Sequence, residues 1–135
     1  MKKLILIMLV IQSLVANDGY ELKLFEKILP SLFQKNTLIV YSDKKITKLI
    51  SKSDLLYVTK NCLEADIIVG RYFKNLDGNC NKKPLFTTYY KEFKNNPEVI
   101  GAFYWRKGRP QLKFHKKALD EQKLFLNSTL IKYAE

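Results

Sequence analysis

Three short apolar runs restrict this chain to few folds: Thr37-Leu38-Ile39-Val40-Tyr41, Leu55-Leu56-Tyr57-Val58 and Asp66-Ile67-Ile68-Val69-Gly70. They are rich in β-branched residues and nearly free of polar interruption, the pattern of strands buried on both faces of a parallel sheet. Parallel neighbours need right-handed crossovers rather than tight turns. Short helical patterns lie between the runs, over Lys45 to Ser51 and Leu63 to Ala65. A fourth strand is expected at Pro84-Leu85-Phe86-Thr87-Thr88, followed by a helical turn from Tyr89 to Lys94.

Upstream, Leu24, Phe25, Ile28, Leu29, Leu32 and Phe33 form the stripe of an amphipathic helix, which Asp18 is placed to cap. Pro30 falls inside that stripe, so the helix is expected to kink there or to restart with Pro30 in its first turn. Downstream, Ile100 to Trp105 and the alternating Gln111 to His115 flank the turn Arg106-Lys107-Gly108-Arg109-Pro110, a β-hairpin signal. Two short helices, Lys116 to Gln122 and Ser128 to Tyr133, are expected to close the chain, with Ser128 capping the second. The sum is an α/β fold: a three-layer sandwich with a mainly parallel sheet of about five strands, a late hairpin and C-terminal helices.

With 135 residues the chain has material for one core. Its N-terminus reads as a signal peptide over 1–16: Met1-Lys2-Lys3 is a positive start, Leu4 to Ile11 is apolar, and Ala16 is a small residue suited to cleavage. An uncleaved anchor is the competing reading, but the stretch from Leu4 to Ala16 falls short of the roughly 20 residues a helical span requires. Residues 17–135 then form the mature domain, with periplasmic localisation expected. Loss of Lys2 and Lys3 leaves 22 basic against 13 acidic residues, a net charge of +9. That balance suits an anionic partner such as lipid headgroups or an acidic protein face, and export argues against nucleic acid. Since 21 of the 24 basic residues of the full chain are Lys, scattered compositional bias is the competing explanation.

Cys62 and Cys80 are the only cysteines. An even count in an oxidising compartment favours a disulfide, the alternative being two free thiols. His115 is the only histidine, so a metal site lacks ligands and none is expected.

Several local strings resemble the YfiR family of periplasmic regulators, also called HmsC-like. Tyr20-Glu21-Leu22-Lys23 resembles its entry segment and Leu38-Ile39-Val40-Tyr41 its first strand. Ile100-Gly101-Ala102-Phe103, a charged turn, Leu112-Lys113-Phe114 and Leu130-Ile131-Lys132-Tyr133-Ala134 resemble its closing hairpin and helix. The resemblance implies a small α/β sandwich that inhibits a membrane-bound diguanylate cyclase by occupying its periplasmic portion, with no bond made or broken. Two departures bear on partner and chemistry: this chain has a single cysteine pair where the best-known member has more, and its hairpin turn is more basic and aromatic.

Catalytic patterns are absent from the sequence: there is no nucleophile elbow, HExxH or glycine-rich phosphate loop, so no enzyme and no cofactor are expected. His115 reads as a strand-end residue. Two groups of residues invite a binding role. Tyr104, Trp105, Arg106, Lys107 and Arg109 combine the side chains that dominate interfaces, the competing reading being a solvated tip with Trp105 turned inward. Ser42, Asp43, Thr59, Lys60, Thr87, Thr88 and Tyr89 lie just beyond the strands, where open parallel sheets take ligands, although helix capping by Ser42, Asp43 and Thr88 explains several of them. A Cys62–Cys80 bridge is expected to brace that same rim. The sequence thus points to an exported regulatory or sensory protein acting on a membrane signalling protein. A small-anion carrier built like one lobe of a solute-binding protein is the alternative, and a homodimer stays open.

Overall fold

The computed structural model describes residues 19–135, so the expected signal segment and the Asp18 cap lie outside the described residues. The first helix, α1, covers residues 19–32. There follow β1 (Leu38–Ser42), α2 (Lys44–Ile50), β2 (Leu56–Val58), β3 (Ile67–Gly70), β4 (Leu85–Thr87), α3 (Tyr90–Asn95), β5 (Gly101–Arg106), β6 (Arg109–Phe114) and α4 (Lys116–Glu121). Short 3-10 turns at Cys62–Glu64, Cys80–Lys82 and Ile131–Tyr133 complete the order.

One six-stranded sheet runs β2-β1-β3-β4-β5-β6. All pairings are parallel except the β5–β6 hairpin. The fold is therefore the expected α/β sandwich, with one strand more than the five anticipated. On one face, Phe25, Ile28, Leu29 and Leu32 of α1, Ile46 and Ile50 of α2, and Ala118 and Leu119 of α4 pack on Val40, Val69, Phe86, Phe103 and Phe114. On the other, Phe93 of α3 joins Phe73, Cys80, Ile68, Leu85, Val99 and Ala102. Odd and even residues of β3 go to opposite clusters, as the two-residue period of a strand requires.

Several expectations need correction. Pro30 does not restart a helix; it sits in the last turn of a continuous α1. The helix ends just beyond it, where Lys35 N–H donates to Pro30 O and Gln34 N–H to Ser31 O, with Gln34 at φ +54°. This is a Schellman termination, which ends the helix within one turn after the proline. Burial on both faces holds for β3 and β4 but fails for β1 and β2, where Ile39 and Tyr57 stand exposed side by side because the second layer is centred on β3 to β5 and meets β1 only at the partly buried Tyr41. The expected final helix is only the 3-10 turn at Ile131–Tyr133. Asn127 rather than Ser128 makes the local side-chain bond there, accepting from Thr129 N–H at 2.8 Å.

The hairpin turns through Lys107 and Gly108 at φ +51° and +75°, the two positive angles of a type I′ turn that matches strand twist. Near its other end Gly101 allows close packing: a Cβ there would come within 2.8 Å of Phe114, 2.9 Å of Phe86 and 2.9 Å of the Lys113 carbonyl oxygen. Cys62 and Cys80 are bonded, with Cα atoms 5.8 Å apart. Because Cys80 is buried among Phe73, Leu85 and Phe93, the bridge braces the second layer, joining the β2–β3 and β3–β4 connections.

Gly101→Ala is expected to lower the unfolding free energy in urea by about 1–3 kcal/mol through overpacking. Cys62→Ser/Cys80→Ser is expected to lower it by about 3 kcal/mol, and reductant should bring the wild type to the variant's stability while leaving the variant unmoved.

Candidate functional site

Doubly wound sheets take ligands at the carboxyl ends of their strands, where the strand order reverses. That reversal falls here between β1 and β3, and the protein fills it with Asp43. The carboxylate caps α2 by accepting from Ile46 N–H at 2.9 Å, and its second oxygen accepts from Arg71 N–H at 3.1 Å, just past β3. Ser42 and Thr47 hydroxyls lie 2.7 Å apart, and Thr47 Oγ1 also donates to the Ser42 carbonyl. Ser42 and Asp43 are thus structural at this point, in agreement with the capping reading.

The open cleft lies further along the rim. It encloses about 660 Å³ and is lined by Arg71, Thr88, Tyr89, Tyr90, Lys91, Tyr104, Trp105 and Arg106. Beyond Arg106 it continues into a second concavity lined by Arg106, Lys107, Arg109 and Gln111. The two groups of sequence candidates are brought together because β5 runs parallel to β4, which carries the hairpin tip to the same edge as Thr87, Thr88 and Tyr89.

Arg71 is held by rings: its guanidinium carbon lies 3.9 Å from the centroid of Tyr89 and 5.4 Å from that of Tyr72, and Nε–H donates to the Tyr72 hydroxyl at 3.2 Å. Tyr72 and Tyr89 meet edge to face at 5.4 Å. Rings that hold a guanidinium by its face leave its in-plane donors directed outward. Beneath, buried Thr87 donates to Arg71 O at 3.1 Å and accepts from Tyr89 N–H at 3.0 Å, so Thr87, not Thr88, fixes the start of α3. On the other wall Tyr90 packs on Tyr104 at 5.3 Å, with Lys113 Nζ 5.5 Å from the Tyr90 centroid.

Arg71, Lys91 and Arg106 face the cleft, and its lining contains no carboxylate. Glu135 is close by but is bound to Lys113 at 3.0 Å, and that hydrogen bond raises the Lys113 pKa above the ordinary lysine range. Burial pushes the Tyr104 hydroxyl up, with Lys113 pulling the other way, so Tyr104 offers a proton donor at neutral pH. A site of this kind takes anionic groups on its cations and flat or apolar ones on its rings.

Other candidates lie apart or turn inward. Trp105 borders the cleft, yet it packs on Tyr20 at 6.0 Å and Phe103 at 5.7 Å on the α1 face. Arg109 and Lys107 line only the adjoining concavity. Thr59 accepts from Asn61 N–H within the β2–β3 connection and Lys60 is exposed there; neither lines the cleft. His115 lies between β6 and α4, stacked on Phe93 at 3.7 Å with Nδ1 2.7 Å from Val99 O. Among the described residues, no three His, Cys, Asp or Glu side chains gather to hold a metal ion. Sequence reasoning passed over Arg71, Tyr72, Tyr90 and Lys91. Arg71 and Tyr72 directly follow the third apolar run, so the carboxyl-end rule applied to that strand would have included them.

Compared with known proteins, the chain matches no family model and no curated sequence.

Asp43→Ala is expected to cost about 1–2 kcal/mol of unfolding free energy, because the α2 cap and the acceptor for Arg71 N–H go together. Asp43→Asn keeps one acceptor and should recover most of that loss. Urea denaturation of the two variants beside wild type checks the order.

Proposed function

We propose that this is an exported, non-catalytic regulatory protein that grips an acidic segment of a membrane signalling partner in the cleft between Arg71 and Arg106. The observation that carries the proposal is the lining itself: three cations among tyrosines with no carboxylate. Tyrosine gives large contact area at little entropic cost and arginine gives strong anion recognition, a composition typical of interface hot spots. The continuation past Arg106 toward Arg109 and Gln111 lengthens the groove, favouring an extended stretch of chain over a compact small molecule.

Periplasmic residence fits the Cys62–Cys80 bridge, the charged-then-apolar start of the sequence, and the lack among described residues of any helix long and apolar enough to cross a membrane. Regulation by occupancy fits the resemblance of the entry and closing segments to YfiR-like proteins, for which a diguanylate cyclase is the implied kind of partner.

The test is capture of partners from detergent-solubilised membranes by the mature protein, by Arg71→Glu/Arg106→Glu, and by the distant reversal Lys116→Glu/Lys117→Glu. One membrane signalling protein retained by wild type and by the distant reversal, and lost from the cleft variant by at least about ten-fold, is expected. Equal recovery by all three removes the cleft as the interface. No recovery by wild type removes the protein partner and favours a small anion, the second reading of the same cleft.

A further inference from the structure

The outer face of α2 carries a charge pattern that its own fold does not explain. Ile46 and Ile50 bury its inner face and Asp43 caps it, whereas Lys44, Lys45, Lys48 and Lys52 are all exposed. Within α2, Lys44 and Lys48 are four residues apart and Lys45 and Lys48 three, so like charges adjoin on successive turns, and Lys52 follows just past the helix end. The first turn has no acidic residue and begins with two lysines, opposite to what the helix dipole favours. None of the four enters the ion pairs between described side chains, which join Lys35 to Asp66, Lys113 to Glu135 and Lys117 to Glu121. Lys48 in the last turn suits the helix dipole, but the two lysines at the start do not, and a lysine cluster that those pairs leave unneutralised points to a partner outside the chain.

Lys45, Lys48 and Lys52 also edge a groove of about 220 Å³ with Ile46, Leu49 and Glu21 of α1. Glu21 is the one carboxylate on that lining. We propose that this α1–α2 face docks on an anionic lipid bilayer. Charge complementarity selects the occupant. The stripe is all lysine, whose ammonium groups on flexible stems act as point charges suited to a fluid array of headgroups, while arginine forks and aromatic rings, which read shaped phosphates or stacked bases, are missing from it. The surface lies outside the Arg71–Arg106 cleft and does not depend on the function proposed for it.

The experiment is co-sedimentation of the mature protein with vesicles of phosphatidylglycerol and phosphatidylcholine, beside vesicles of phosphatidylcholine alone. Wild type should bind only the anionic vesicles, more weakly as salt is raised. Lys45→Gln/Lys48→Gln/Lys52→Gln should lose about five-fold per lysine, on the order of 100-fold together. Lys74→Gln/Lys82→Gln/Lys94→Gln removes the same charge from other exposed positions and should bind within about two-fold of wild type. Arg71→Glu/Arg106→Glu should still bind, which separates this surface from the cleft. Equal losses in the two lysine variants would reduce the effect to net charge and overturn the proposal, as would failure of wild type to sediment with anionic vesicles.

Discussion

The arrangement of the rim turns on one carboxylate. Asp43 uses one oxygen to start α2 and the other to hold the backbone of Arg71 at the end of β3, so a single side chain ties the first crossover to the strand on the opposite side of β1. It sits in the crevice that doubly wound sheets usually leave for a ligand. A negative charge already bonded there repels an incoming anion. The cationic surface is therefore displaced along the sheet, to where β4, α3 and the hairpin meet.

That displacement succeeds because the two faces of β5 are divided. Phe103 and Trp105 turn toward α1, where Tyr20 and Phe25 receive them, while Tyr104 and Arg106 turn to the other side. The hairpin is thus anchored by one set of residues and presents the other. On the facing wall, tyrosines hold Arg71 by its π-face and a buried threonine fixes the backbone under it. The cations are positioned by contacts that do not neutralise them, which is what anion recognition at an exposed rim requires.

Much of this architecture is legible in the sequence. Apolar β-branched runs marked β1, β2, β3 and β4 to within one or two residues, and Lys107-Gly108 between alternating stretches marked the hairpin, because strand burial and turn angles are local demands. Coverage was not legible: Ile39 and Tyr57 read as buried, and only the tertiary arrangement shows the second layer stopping short of them. Pro30 misled for a related reason, since its effect depends on distance from the helix end, and that end is set by Gln34 in a conformation glycine usually takes. The site was half legible. Tyr104, Arg106 and Tyr89 were recognisable by type and place, but their meeting depends on β5 lying parallel to β4, a pairing that no local pattern encodes.

The strand order also has a kinetic side. Only β5 and β6 are joined by a tight turn; every other pairing closes a connection across the sheet, and β1 cannot acquire its second neighbour until β3 has been made. Pairings of that kind form slowly, because loop closure must precede any gain from contact. The hairpin can form on the microsecond scale typical of such units, about 1–10 μs. The two walls of the rim therefore come from parts of the chain with different folding clocks: Tyr104 and Arg106 from the fast element, and Arg71 from the slow one. A chain caught between those events carries half of the rim while β3 and β4 are still uncovered, the interval in which a chaperone would have most to hold.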